Sequence, residues 1–174
     1  KGNKDTYLKN EQELSEYLLS SSLEGAVIKS SKQTVPQSQT LACLKAASRF
    51  GRGVERVSKK LHPRFLRALI AHGVDATTLA KRETLEAVLN KIAAELKELE
   101  VGVKFELQQD KEHNAWLAIV ESTYEGQTKK APINLATIDS PEYDELVKHY
   151  QAMLTMGAGP YTLAMSGKDE TTIA

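Results

Sequence analysis

Residues Thr84–Gln109 read TLEAVLNKIAAELKELEVGVKFELQQ, and the hydrophobic period changes inside them. Leu85, Val88, Leu89, Ile92, Leu96 and Leu99 recur three or four apart, with Glu86, Lys91, Glu95, Lys97 and Glu98 between them. That spacing predicts an amphipathic helix. It lasts about two heptads, too short for a coiled coil, so it predicts a core helix, packed on the apolar stripe of a second, basic helix. From Val103 the period is 2: Val103, Phe105 and Leu107 alternate with Lys104, Glu106 and Gln108. This predicts a half-buried strand.

Downstream the strand pattern repeats. Asp110–Asn114 is a polar turn, Trp116–Val120 a second strand, Glu125-Gly126 a hairpin turn and Thr128–Leu135 a third strand. Pro132 places the third strand at an edge or a bulge. Three strands with short connections form an antiparallel meander. Ser140-Pro141-Glu142 starts a helix with an N-cap serine, a proline at its first position and acids in its first turn. That helix runs to Gly157; Tyr161–Met165 reads as a last strand, and the tail from Ser166 has no periodicity.

Upstream lies LACLKAASRFGRGVERVSKKLHPRFLR, Leu41–Arg67, with eight basic residues against one acid, Glu55. On a helical wheel Lys45, Arg49, Arg52, Arg56, Lys59 and Lys60 fall within about 60° of one direction. Leu44, Ala47, Phe50, Val54, Val57 and Leu61 fall opposite. One helix would therefore bury an apolar stripe and present a row of cations. Gly51 and Gly53 are its weak points, each costing about 1 kcal/mol against alanine, and mark a candidate kink. His62-Pro63 is expected to end it, with Pro63 opening a helix that stops at Gly73. Asp75–Thr78 caps the next helical region.

A cationic row suits phosphate oxygens, and backbone charge without base readout suits DNA of any sequence. The candidate contacts are Lys45, Arg49, Arg52, Arg56 and Lys60. The competing reading is a solvated outer face, which periodicity alone slightly favours.

Near the start, Lys4–Lys9 has a short strand's look. Asn10 with Glu13 reads as a helix cap, with Leu14, Tyr17 and Leu18 on one face. A break at Ser20–Ser22 follows, then a turn at Gly25, a buried strand at Ala26–Ile28 and a polar loop at Ser31–Gln39.

The whole chain has 174 residues, 41% hydrophobic and 26% charged, with 23 Lys plus Arg against 23 Asp plus Glu. The basic stretch is thus a local asymmetry in a neutral chain. Cys43 is the sole cysteine, which excludes an intrachain disulfide framework and a cysteine zinc site. No apolar run suits a membrane span and no signal peptide is visible, favouring the cytosol. The absence of an initiator methionine and of a closing element suggests a fragment of a longer protein.

The chain carries no sharp catalytic signature. Gly51-Arg52-Gly53 lacks the strand a phosphate loop needs. His62, His72, His113 and His149 are scattered and read as surface or helix-end residues. Asp139, Glu142, Asp144 and Glu145 read as helix-start acids before a metal cluster. Trp116 reads as core before stacking platform.

The run Lys1–Ile28, KGNKDTYLKNEQELSEYLLSSSLEGAVI, resembles part of the B chain of bacterial DNA gyrase, where the magnesium-binding Toprim domain gives way to a large insertion in gram-negative members. Tyr7-Leu8-Lys9-Asn10 and Leu23-Glu24-Gly25-Ala26 occupy the places of its motifs. Asn10 departs from an acid and Glu24 from an aspartate. The basic helix with Arg56-Val57-Ser58-Lys59-Lys60, the tryptophan hairpin and the order of helices resemble that insertion too.

The resemblance implies an α+β insertion domain: a helical subdomain packed with a small antiparallel β-meander. It implies an entry arm (1–30), a helical part with the basic helix (31–100) and a sheet part with helix and exit tail (101–174). It implies a parent that is an ATP- and magnesium-dependent, supercoiling type II topoisomerase of the bacterial cytoplasm. The family's catalytic groups lie outside the insertion, so no catalytic residue and no cofactor are expected here. The implied partners are double-stranded DNA, the gyrase A protein and the other domains of gyrase B. The alternative is a structural module that braces neighbouring domains without touching DNA.

Overall fold

A computed structural model describes residues 9–30, 34–58, 61–157, 160–165 and 171–173. The chain forms two compact units, Lys1–Ser48 with Gln151–Ala174, and Arg49–Tyr150. It is α+β, with helices and two small antiparallel sheets.

In the first unit, helix α1 (Glu11–Ser22) is capped as expected: the Asn10 side chain accepts from the Glu13 N–H at 2.9 Å. The serine triplet does not break it. Ser20 and Ser22 donate their hydroxyls back to the carbonyls of Glu16 and Leu19, so both stay within the last turns. The expected apolar face of α1 stands in solvent, with Leu14, Tyr17 and Leu18 all exposed. Gly25, at φ 76°, turns the chain into strand β1 (Ala26–Ser30). The expected loop before the basic helix holds a two-residue strand, β2 (Thr34–Val35). The first sheet has the order β2-β1-β6-β7, with β6 (Tyr161–Met165) and β7 (Thr171–Ile173). Ala26 pairs with Met165 and Ser30 with Tyr161. β7 corrects the expectation that nothing ordered follows Met165: it finds its partner in β6, which no local periodicity announces. The expected strand at Lys4–Lys9 falls, apart from Lys9, outside the described residues.

Helix α2 (Gln37–Val57) crosses from the first unit to the second between Ser48 and Arg49. It is continuous through Gly51 and Gly53, so the two glycines do not break it. It also stops before His62. The Ser58 carbonyl is taken by the Lys129 ammonium at 2.7 Å, and the Ser58 hydroxyl donates to the Glu55 carbonyl at 3.0 Å. These bonds satisfy the end of the helix well before the proline acts.

In the second unit, α3 (Pro63–Ala71) has His62 as N-cap and ends in a left-handed Gly73, φ 65°, with Val74 N–H donating to the Leu69 carbonyl. The short α4 (Ala76–Leu79) is closed by an Asp75–Thr78 capping box. Helix α5 (Arg82–Glu98) buries Leu85, Leu89, Ile92 and Leu96; Leu99 caps it and is exposed. The meander β3 (Gly102–Asp110), β4 (Ala115–Tyr124), β5 (Gln127–Ile133) has the order β3-β4-β5, with Pro132 on an edge strand as expected. Leu135 leaves the third strand and begins the short α6 (Leu135–Ile138). Helix α7 (Pro141–Leu154) starts on the Ser140 hydroxyl, which accepts from the Tyr143 N–H at 3.2 Å.

The apolar stripe of α2 within this unit meets α7 and α3. Phe50 packs its ring on Tyr150 at 5.7 Å, Gly53 abuts Leu146, and Arg67 of α3 lies over the Phe50 ring at 5.5 Å. Helix α5 packs on α3, α4 and β3.

Candidate nucleic-acid interface

The helical period of α2 separates its residues as the sequence predicted. Phe50 and Val54 are buried, whereas Arg49, Arg52 and Arg56 are exposed. Their spacing of three and four puts them on one face, over about 10 Å of helix axis. Arg49 and Arg52 take part in interactions with other groups of the chain. Arg56 reaches Glu145 of α7 at 3.4 Å, with both side chains 64% exposed. A solvated pair of this kind contributes little stability and gives way readily to another anion. Glu145 was invisible as a partner in the sequence because it lies 89 positions away.

Lys45 belongs to the first unit, where it pairs with Glu16 of α1 at 3.6 Å. That pair is less exposed, at 33% and 17%, so Lys45 is more committed inside the protein than Arg56. Lys60 lies outside the described residues. The candidate residues are therefore not equivalent: the three arginines are exposed on one helix face, with Arg56 in a solvated pair, whereas the Lys45 pair is largely shielded.

A second group of cations gathers beyond the end of α2. Arg64 lies over the Tyr124 ring at 4.9 Å and donates to the Leu99 carbonyl at 2.6 Å, and Lys129 holds the Ser58 carbonyl. The His62 ring lies 5.2 Å from that of Tyr124. Burial, then Lys129 and Arg64, push its pKa below the usual histidine value. These groups tie α2, α3 and the meander together, so their charge serves the fold first.

Two other histidines sit beside acids. His72 meets Glu95 at 2.8 Å and His113 meets Asp110 at 2.9 Å. Among the described residues no three His, Cys, Asp or Glu side chains converge. Cys43 is half-buried beside the Met153 carbonyl at 3.5 Å, and burial raises its thiol pKa. No helix among the described residues is long and apolar enough to cross a membrane.

Fold and surface together define an α+β domain with a cationic helix face. The chain belongs to the DNA gyrase B subunit insert domain family, whose model matches residues 27–158. It is thus part of a gyrase B protein, and so of a type II topoisomerase. No curated protein matches the chain. The family match starts at Val27, after most of the run Lys1–Ile28 that carried the first resemblance.

Proposed function

We propose that this domain is a non-catalytic outrigger of gyrase B that touches double-stranded DNA without sequence preference. Arg49, Arg52 and Arg56 meet the phosphates; Lys45 and Lys60 stay candidates from the sequence alone. Holding DNA there helps to couple ATP use in the parent enzyme to strand passage. ATP, magnesium and the supercoiling reaction belong to other parts of the parent; gyrase A and the other domains of gyrase B are the domain's further partners. The bacterial cytoplasm is the compartment. The observation that carries this reading is the exposure of three arginines on one continuous helix of a gyrase domain.

The test is binding of this chain to random duplex DNA across a salt series. Wild type binds with a steep salt slope. Arg49/Arg52/Arg56→Ala weakens binding equally on unrelated sequences and reduces the slope by about 0.9 for each phosphate no longer neutralised. Unchanged affinity and slope overturn the reading. The Arg56–Glu145 pair favours a second reading, in which the same face holds carboxylates of a neighbouring domain. On that reading the triple substitution leaves DNA affinity intact and lowers supercoiling by the assembled enzyme.

A further inference from the structure

The meander has two edges, and they are finished differently. On the β5 edge Pro132 offers no N–H, Lys129 and Lys130 add charge, and the inward Ala131 and Ile133 are buried. These are devices that stop a further strand from adding. The β3 edge carries charges of both signs, Lys104 and Glu106, and none of the other devices. It is nine residues long, contains no proline, and alternates apolar and polar residues through Gln108.

Burial across one face of the sheet marks the same asymmetry. Ala118, Val120 and Ser122 of the central strand are buried. Their register partners in β3, Leu107, Phe105 and Val103, are only half-buried. Among the described residues, β3 makes backbone hydrogen bonds to β4 and to no other segment. A cavity of about 590 Å³ opens at the start of the strand, with Ala93 and Ala94 of α5 and Val103 and Lys104 in its walls. The outward backbone groups of β3 thus form a template for one more strand.

The strand that fits must place apolar residues beside Val103, Phe105 and Leu107, and opposite charges beside Lys104 and Glu106. β3 itself, run antiparallel, meets this requirement. We propose that the free edge of β3 pairs with β3 of a second copy of this chain, about Phe105. In that register Phe105 faces Phe105 of the second copy and Val103 faces its Leu107. Lys104 faces Glu106 of the second copy, and the second copy's Lys104 faces Glu106 here. Apolar and opposite-charge pairs at directly opposed positions are the favourable ones in a sheet. The pairing is independent of the DNA reading.

One strand pair buries less than the ~1,600 Å² of a standard stable interface, so the dimer is weak and reversible, with a Kd on the order of 100 µM. Sedimentation equilibrium of the whole chain over a wide concentration range tests it. The average mass of wild type rises toward twice that of the monomer. Glu106→Lys places lysine against Lys104 of the second copy and stays monomeric. K104E/E106K reverses both charges together and restores association. Both positions are exposed, and thermal melts check that each variant is folded. Amide exchange in wild type reads the pairing without a substitution: protection along Gly102–Asp110 increases with concentration. A wild type that is monomeric throughout, association unaffected by Glu106→Lys, or exchange at β3 insensitive to concentration overturns the proposal.

Discussion

A Cβ atom built on Gly53 would stand 2.7 Å from Cδ2 of Leu146. α2 and α7 approach at this point, and Leu146 is buried, with little freedom to turn aside. The glycine leaves room for Leu146. Gly51, two residues earlier, has no neighbour within 4 Å of the same imagined atom. Gly51→Ala therefore gains helix propensity, about 1 kcal/mol, or roughly 3 °C in Tm. Gly53→Ala gains the same propensity but overpacks the interface, at ~1–3 kcal/mol, and has a lower Tm than wild type. Thermal melts followed by circular dichroism separate the two; a stabilised Gly53→Ala would refute the packing account.

Tyr143 donates its hydroxyl to the Val74 carbonyl at 2.8 Å, with both residues buried. Tyr143→Phe leaves that carbonyl without its partner and costs about 1–2 kcal/mol in urea unfolding. Burial, then the charge of Asp75, raise the phenol's pKa far above the usual value. A raised folded pKa gives stability that is full below the unfolded value and is lost as pH rises past it. Of the six tyrosines, Tyr143 is expected to resist ionisation in an ultraviolet alkaline titration until the fold gives way.

The histidines His62 and His113 titrate on opposite sides of the usual value. The hydrogen bond to Asp110, then its charge, raise His113, and the bond from His113 lowers Asp110. The His113 contribution is present below its unfolded pKa and lost as pH rises through the folded one. The Asp110 contribution is present above its unfolded pKa and lost as pH falls through its depressed one. His62 is lowered, so its contribution is present above the unfolded value and lost as pH falls through the folded one. An NMR titration of the ring protons should find His113 with the higher midpoint. Asp110→Asn should bring it down, and Lys129→Ala should move His62 up.

Asp75 caps α4 through Thr77 and Thr78, and the Thr77 hydroxyl, then the Thr78 N–H, hold its carboxyl below the usual carboxylate range. Its contribution is present above the unfolded pKa and lost as pH falls through the folded one. Asp75→Ala costs about 1 kcal/mol at neutral pH. The loss should shrink in acid, where wild type and variant converge; an equal gap at low and neutral pH would contradict the capping role.

What was legible in the sequence was whatever a short window encodes. The period of Leu85–Leu96, the switch to alternation at Val103, the Glu125-Gly126 turn and the Ser140-Pro141 helix start all stand where local chemistry puts them. The face of α2 bearing Arg49, Arg52 and Arg56 was legible for the same reason, since period alone separates it from Phe50 and Val54. Partners were not legible. Glu16 for Lys45, Glu145 for Arg56 and Lys129 at the end of α2 come from other elements, and no window contains both sides of such a pair. The β1–β6 pairing stayed hidden because its residues are up to 139 positions apart, from Ala26 to Met165.

That pairing carries an architectural consequence. Strands β1 and β6 run side by side in opposite directions, one sheet spacing of about 4.8 Å apart. The chain enters and leaves the intervening segment through a doorway no wider than a hairpin. The width of that doorway is set by strand pairing and not by the length of the segment it encloses.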